Sequence, residues 1–247
     1  MRTPVDVLAD LVRADPARPR LTTYDDTAAA SGERIELSAR VLANWVAKAA
    51  NLLQDEWDVG PGSRVRLALP PHWRLAYWAY AVWSVGGTAV LTPVRDDPDA
   101  GDVDVTVSDD PAVIETAAGD RILVTLAALA RRAPVAVPAG AFDEAATLAT
   151  YADRFDAWAT AADTDPALVD AAGETAYGSL VLDACAATDL PPDARVHTST
   201  DDPATFLRQL LAAWSVDGSL VLSRGAEGRD LTSRLASEAL TLDLRAG

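Results

Sequence analysis

The chain has very few of the side chains that perform most metal, redox and acid–base chemistry. Its 247 residues include one cysteine, Cys185, and two histidines, His72 and His197. A single cysteine excludes an intrachain disulfide, and the sequence does not demand an oxidising compartment. Paired His or Cys spacings typical of metal sites do not occur. We therefore expect no metal and no cofactor.

Basic charge is also scarce. Lys and Arg total 21 against 37 Asp and Glu, which gives a formal net charge of -16, and Lys48 is the only lysine. Nucleic acids and anionic membranes attract basic faces, so we expect neither as a partner. The N-terminus leads into a helix that already holds Asp6 and Asp10, unlike a signal peptide. This predicts a cytoplasmic location. The acidity fits a GC-rich genome or a salt-adapted surface.

One long hydrophobic run is present, from Leu75 to Val94, and it has the length of a membrane span. Gly86 and Gly87 divide it into a helical pattern and a short strand pattern. We therefore predict a buried helix and strand instead of a span. The acidic run from Asp96 to Asp104 fits a solvated loop better than a calcium loop, because its spacing matches no EF-hand.

Part of the sequence occurs twice. Residues 61–92 align without a gap to residues 192–223, an offset of 131, and ten of the thirty-two positions are identical. The similarity extends upstream, where the order of Gly-Glu, a predicted hairpin and a Ser-capped helix recurs at residues 32–38 and 173–179. A period this long is typical of a duplicated supersecondary unit and not of a solenoid.

The duplication predicts the fold class and domain organisation. We expect an α/β protein with two similar lobes, each a hairpin-α-β-α-β unit, with mostly parallel sheets flanked by helices. The first lobe is predicted over residues 1–162 and the second over 163–247, together forming one structural domain. Between the repeats we predict a strand at 135–137 and helices at 125–132 and 143–162.

Three segments of the first ninety residues, together with residues 193–223, carry a family resemblance. The three segments are Arg34-Ile-Glu-Leu-Ser with the following helix, Val59-Gly-Pro-Gly-Ser-Arg-Val-Arg-Leu-Ala-Leu-Pro, and Ala81-Val-Trp-Ser-Val-Gly-Gly-Thr-Ala-Val-Leu-Thr-Pro93. They resemble the opening part of adenylate-forming (AMP-binding) enzymes, the group that includes acyl-CoA synthetases, and residues 193–223 resemble a later segment of that family. The resemblance implies a two-lobed scaffold related to the N-terminal part of these enzymes.

The departures from the family concern its catalytic parts. The resemblance implies a Ser/Thr/Gly-rich phosphate loop ending in Pro-Lys-Gly ahead of the second helix, where this chain has residues 170–178. Gly173 and Thr175 are candidate remnants of that loop, and Glu174 places a negative charge where a triphosphate would lie. The small C-terminal lid with its catalytic lysine has no counterpart in the 247 residues.

These observations predict a truncated, non-catalytic relative of adenylate-forming enzymes that binds a protein partner, a second copy of itself or a small ligand. The alternative is an acyl-binding or CoA-ester-binding protein, or a partial acyl-CoA synthetase-like enzyme completed by another chain. Candidate ligand-binding residues lie where strands end: His72, His197, Thr198 and Ser199. No catalytic residue is assigned. Aromatic residues of the 73–83 helix are expected to pack inward, with a dimer face as the alternative.

Overall fold

The computed structural model describes residues 1–27, 32–91, 102–225 and 228–244, so most of the acidic run lies outside the described residues. Helices and strands alternate along these ranges. In chain order they are α1 (Pro4–Ala14), β1 (Pro19–Asp25), β2 (Glu33–Ser38), α2 (Ala39–Trp57), β3 (Arg64–Ala68), α3 (Trp73–Ser84), β4 (Thr88–Val90), β5 (Val105–Ser108), α4 (Pro111–Thr116), β6 (Asp120–Leu123), β7 (Phe142–Asp143), α5 (Glu144–Thr147), a 3-10 turn (Leu148–Thr150), β8 (Pro166–Asp170), β9 (Gly173–Ala176), α6 (Tyr177–Ala187), β10 (Arg195–Thr198), α7 (Pro203–Ser215), β11 (Ser219–Arg224), α8 (Gly228–Ser237) and β12 (Leu242–Asp243).

Two sheets organise the described residues, and each belongs to one compact unit. Unit 1 comprises Met1, Ala43–Leu69 and Arg74–Leu180, and its strands run in the order β7-β6-β5-β3-β4-β8-β9. Unit 2 comprises Arg2–Leu42, Pro70–Trp73 and Val181–Gly247, with the order β12-β10-β11-β1-β2. The strands are parallel except in the hairpins β8–β9 and β1–β2. The α/β class with mostly parallel sheets is therefore confirmed.

The two repeated segments adopt the same local structure. Arg64 pairs with Thr88 in unit 1, and Arg195 pairs with Ser219 in unit 2, so the strand register follows the offset of 131. The turns agree as well, because Gly86 and Asp217 both have a positive φ. Asp217 takes this left-handed conformation at the position where the first repeat uses glycine.

The tryptophan of each repeat anchors the end of its helix to a neighbouring strand. Trp83 Nε1 donates to the Ala167 carbonyl at 2.8 Å in unit 1, and Trp214 Nε1 donates to the Arg20 carbonyl at 3.0 Å in unit 2. Both indoles are buried, so the bond satisfies a donor that water cannot reach. The recurring tryptophan therefore has the same structural role in both repeats.

In each unit, the hairpin that precedes one repeat in the sequence pairs with a strand of the other repeat. In unit 1 the hairpin β8–β9 pairs with β4, and in unit 2 the hairpin β1–β2 pairs with β11. A repeat in the sequence therefore does not correspond to a unit in space. For this reason none of the unit boundaries falls at the predicted lobe division between residues 162 and 163.

The segment between the repeats differs from the sequence predictions. Residues 125–132 and 135–137 form neither a helix nor a strand, and the predicted helix at 143–162 is limited to α5 and the 3-10 turn. The sheet edge is instead the two-residue strand β7. All three predictions were wrong. In the two predicted helices, side chains of other elements bind carbonyl groups that a helix would have used internally.

Lys48, Asn51 and Gln54 show this replacement. They lie three residues apart on α2 and donate to carbonyls of the irregular segment 149–158, which we call the strap. Asn51 Nδ2 reaches the carbonyls of Ala152 at 3.1 Å and Arg154 at 2.9 Å. Each of these side chains supplies a carbonyl of the strap with the hydrogen bond that a backbone N–H group would supply in a helix.

Helix α3 is buried on every side. Trp78, Tyr80 and Trp83 are at most 1% exposed. These rings pack within the chain, as predicted, and the helix does not offer the exposed face that a dimer through it would require. Among the described residues, no helix is both long and apolar enough to cross a membrane.

Candidate functional site

The phosphate-loop position implied by the resemblance is a tight hairpin in unit 1. Strand β8 ends at Asp170 and β9 begins at Gly173, and these two residues face each other across the ladder. Only Ala171 and Ala172 connect them. Gly173 has a φ of 111°, which glycine adopts at little cost. The chain therefore returns on itself over two residues, with no longer loop to enclose a phosphate.

Negative charge and internal hydrogen bonds occupy this turn. The Asp170 carboxylate is buried and accepts from the Ala172 amide at 2.8 Å. Glu174 is exposed, and its Oε1 lies 3.5 Å from Arg64 Nη1. Phosphate loops bind through free backbone N–H groups and a nearby cation. In this turn the Ala172 amide already donates to the Asp170 carboxylate, and the Arg64 guanidinium is paired with Glu174. The negative charges of Asp170 and Glu174 would repel a triphosphate.

Tyr177 fills the space directly after the hairpin. It is 4% exposed, and its hydroxyl donates to the Gly87 carbonyl at 2.6 Å. Burial, assisted by the nearby Asp165 carboxylate, raises the pKa of Tyr177 well above its ordinary value. The tyrosine therefore remains a neutral donor that joins α6 to the turn before β4. Thr175, the other candidate remnant, lies in β9 and is half-buried.

A buried ionic cluster lies at the carboxyl ends of β6 and β7. Arg74 and Glu144 are 3% and 1% exposed, and Arg74 Nη1 lies 2.7 Å from Glu144 Oε1. The Tyr77 hydroxyl donates to the same carboxylate oxygen. Arg74 also donates to the carbonyls of Leu126 at 3.4 Å and Ala127 at 3.0 Å. The cluster thus fixes the chain that follows β6.

Burial dominates the electrostatics of this cluster. It raises the pKa of the Glu144 carboxyl, although Arg74 acts in the opposite direction. Burial also raises the pKa of Tyr77, and the Glu144 charge adds to that effect. Sequence reasoning missed the cluster because Arg74 and Glu144 are seventy residues apart, and only the fold brings them together.

In unit 2 the structure places His197 in a chain of hydrogen-bonding side chains. His197 Nδ1 lies 2.8 Å from Asp243 Oδ1, and Nε2 lies 3.1 Å from Ser223 Oγ. The three residues come from the neighbouring parallel strands β10, β11 and β12. His197 is fully buried and Ser223 is 3% exposed. Of the three, only His197 was a candidate from the sequence.

The other sequence candidates have different surroundings. Thr198 is buried, and its hydroxyl accepts from the Thr200 amide at 3.3 Å, while Ser199 is half-buried. His72 is 1% exposed, with its ring centroid 5.7 Å from that of Trp73. The alignment of the two repeats could have revealed Ser223. It predicts that His197 pairs with Val221, and Ser223 lies two residues beyond Val221 on the same face of the strand. Asp243 gave no such signal, since β12 has only two residues.

Metal binding finds no support in the described ranges. Among residues 1–27, 32–91, 102–225 and 228–244, no group of three or more His, Cys, Asp or Glu side chains is placed to hold an ion. The arrangements that remain are the closed hairpin and the Arg74 cluster in unit 1, and the His197 chain in unit 2. The last of these is the one with the geometry to move a proton.

Solved structures with the same fold are adenylate-forming enzymes. Acetoacetyl-CoA synthetase from Streptomyces lividans aligns with a TM-score of 0.77 and 19% identity over 99% of this chain and 42% of its own. An acyl-CoA synthetase from Brucella canis aligns with a TM-score of 0.75 and 15% identity over 96% of this chain and 45% of its own. The chain thus spans less than half the length of these structures. The fold implied by the resemblance is confirmed.

A curated relative matches almost end to end. No family model matches the chain. A Mycobacterium tuberculosis protein described as a TIGR03089 family protein is 34% identical over 242 residues, which is 95% of this chain and 95% of the relative. That identity extends across both units and is far above that of the structural neighbours. The protein therefore belongs to the TIGR03089 family.

Proposed function

We propose that this protein is a relative of adenylate-forming enzymes that is non-catalytic with respect to adenylation and that binds a protein partner or a small ligand. The observation that carries the proposal is the two-residue turn at the phosphate-loop position. Asp170 directly precedes this turn, and Glu174 is the second residue of the strand that follows it. A carboxylate about 4 Å from a phosphate oxygen costs about 1–4 kcal/mol, depending on the local dielectric.

The Arg74 cluster supports the same proposal. Open α/β sheets bind ligands beyond the carboxyl ends of their strands. In unit 1 the ends of β6 and β7 are tied together by the buried ion pair of Arg74 and Glu144. A ligand at this place would have to break the pair and uncover two buried charges. The Arg74–Glu144 pair therefore stabilises this edge of the sheet and disfavours ligand binding there.

Exposed apolar side chains on irregular segments of unit 1 favour a protein partner over nucleotide chemistry. Leu129 is 91% exposed, Trp158 is 66% exposed and Val135 is 51% exposed. An exposed tryptophan is a frequent anchor of protein interfaces. A small ligand is the other form of the proposal.

The second candidate is an acyl-binding or CoA-ester-binding protein, or part of an acyl-CoA synthetase-like enzyme completed by another chain. The fold it shares with acyl-CoA synthetases, over less than half of their length, favours this candidate. It differs from the first candidate in one respect. It requires that a carboxylic acid or its CoA ester bind in the absence of ATP chemistry, or that activity appear when the missing chain is supplied.

Thermal unfolding with Mg-ATP tests the loss of the nucleotide site. A retained site at a hundred times its dissociation constant would stabilise the fold by about 2.7 kcal/mol. For a chain of this length that amounts to a rise in melting temperature of about 5–10 °C. We expect no rise, with an intact acyl-CoA synthetase as the positive control. A rise that requires Mg²⁺ would refute the proposal.

Pyrophosphate exchange with a panel of carboxylic acids separates the two candidates. We expect no exchange by the purified protein and, after cell extract is added, none above the exchange of the extract alone. Exchange that appears only with extract would favour an enzyme completed by another chain. A Glu174→Gln variant is the matched control, because it removes the repelling charge and leaves the two-residue turn unchanged.

A further inference from the structure

The chain Asp243–His197–Ser223 has the order and spacing of an acyl-transfer triad. Imidazole Nδ1 faces the carboxylate at 2.8 Å, and Nε2 faces the hydroxyl at 3.1 Å. An ionised carboxylate only accepts hydrogen bonds, so Nδ1 carries the proton and Nε2 is the acceptor. The Ser223 hydroxyl therefore donates to Nε2. This is the arrangement in which a histidine can remove the proton of a serine.

The three residues also lie where this class of fold places its chemistry. They occur at or near the carboxyl ends of β10, β11 and β12, which run parallel in the unit 2 sheet. Strands hold side chains in fixed positions better than loops do. Only one residue of β11, Arg224, follows Ser223, and Gly225 after it is exposed. The serine is thus next to the rim of the sheet and not at its centre.

The three side chains differ in burial, and His197 is the most buried and Asp243 the least. His197 is fully buried, Ser223 is 3% exposed, and the Asp243 side chain is 28% exposed. A buried imidazole between two partners keeps one tautomer, since exchange with water cannot compete.

We propose that Ser223 is a nucleophile activated by His197, with Asp243 as a positioning residue, for activated acyl esters and thioesters. This activity lies beyond the proposed binding function and uses no ATP. Ser223 Oγ attacks the carbonyl carbon and its proton passes to His197 Nε2. When the carbon–sulfur or carbon–oxygen bond breaks, the leaving group takes that proton. Water then attacks the acyl-Ser223 ester, giving its proton to His197, and the carboxylic acid leaves as Ser223 regains a proton.

A buried histidine that merely satisfies its hydrogen bonds would show the same distances. The two roles differ in reactivity. A structural serine is no better a nucleophile than any other serine of the chain, whereas an activated one reacts with an electrophile at a rate that depends on the ionisation of His197. The test must therefore measure covalent reaction at Ser223 and not stability.

The experiment is labelling of the full-length protein with a fluorophosphonate probe, followed by mass spectrometry of the modified peptide. We expect one label per chain, on Ser223, and slow hydrolysis of p-nitrophenyl acetate by the unlabelled protein. Ser223→Ala should abolish labelling. Ser237→Ala, which alters an exposed serine of α8, should label like the wild type.

The labelling rate of an Asp243→Asn variant distinguishes a catalytic role of Ser223 from a purely structural one. The substitution should slow labelling by about 10²–10⁴-fold, because an amide favours the wrong imidazole tautomer. The pH profile of labelling should follow one ionisation in the wild type. Folding of each variant is checked by circular dichroism. If folded wild-type protein at saturating probe carries no label on Ser223, the proposal is overturned, whatever the variants do. Mg-ATP binding plays no part in this result, so it is separable from the test of the proposed function.

Discussion

Removal of one partner of the buried Arg74–Glu144 pair should cost more than any other single charge substitution in unit 1. In Glu144→Ala, the guanidinium of Arg74 stays 3% exposed and loses the Glu144 carboxylate. Its remaining partners include the Tyr77 hydroxyl and the carbonyls of Leu126 and Ala127. Loss of one member of a buried pair typically costs 3–5 kcal/mol, so we expect about 3–5 kcal/mol here.

For a chain of this length, that loss corresponds to a fall in melting temperature of about 6–20 °C. The melting temperature is measured by thermal unfolding, and the free energy of unfolding by urea unfolding at neutral pH, each followed by circular dichroism and by tryptophan fluorescence. Coincident curves from the two probes would justify a two-state free energy. Arg154→Ala is the matched control, because the pair of Arg154 and Asp156 is largely exposed and should change the melting temperature by about 2 °C or less.

A double variant distinguishes an uncompensated charge from a lost contact. Arg74→Met with Glu144→Leu leaves no charge buried, so it should be more stable than either single variant. It still loses the bonds from Arg74 to the Leu126 and Ala127 carbonyls, which keeps it below or near the wild type. A loss below about 1 kcal/mol in Glu144→Ala, or a double variant as unstable as the worse single one, would contradict this reasoning.

Three further substitutions have equally definite outcomes. Lys48→Met removes the donor to the start of the strap, so limited proteolysis should cut within residues 149–158 faster than in the wild type. Glu238→Gln tests pH dependence: burial would raise the pKa of Glu238, but hydrogen bonds from its neighbours outweigh this and lower it. The stabilisation by its carboxylate is therefore present above about pH 4.5 and lost as the pH falls through the lowered value, so the stability gap between wild type and variant should narrow in acid. Gly218→Ala should destabilise the protein strongly, because the new Cβ would lie 2.3 Å from a carbonyl oxygen, whereas Gly60→Ala meets no atom closer than 3.9 Å; equal melting temperatures for the two would contradict the clash.

The sequence predicted the repeated elements well because their signals are local. The strand at 64–69, the helix at 73–85 and the hairpin around residues 171–174 have structural counterparts within one or two residues. Hydrophobic periodicity and turn residues decide such elements, and both are visible in a short window. The register of the second repeat could also be read from the first, since the offset is constant.

The segment between the repeats could not be predicted in this way. Residues 143–162 are rich in alanine and have helical propensity, but their carbonyls bind Lys48 and Asn51, about a hundred residues earlier. Tertiary bonds of this kind override a weak local preference. The same holds for the sites. The phosphate-loop position follows from chain order, whereas the pairing of Arg74 with Glu144 and of His197 with Asp243 follows only from the packed sheets.

The exchange of hairpins between the two halves of the chain has a consequence for synthesis. The edge of β1 that faces β11 pairs Leu21 with Leu220, so it has no partner until residue 220 has left the ribosome. At about 5–20 residues per second, the N-terminal hairpin stays without that neighbour for about 10–40 s. An open strand edge is a site for wrong pairing with other chains. During this interval the formal net charge of -16 on the protein makes separate chains repel each other, which opposes such wrong pairing.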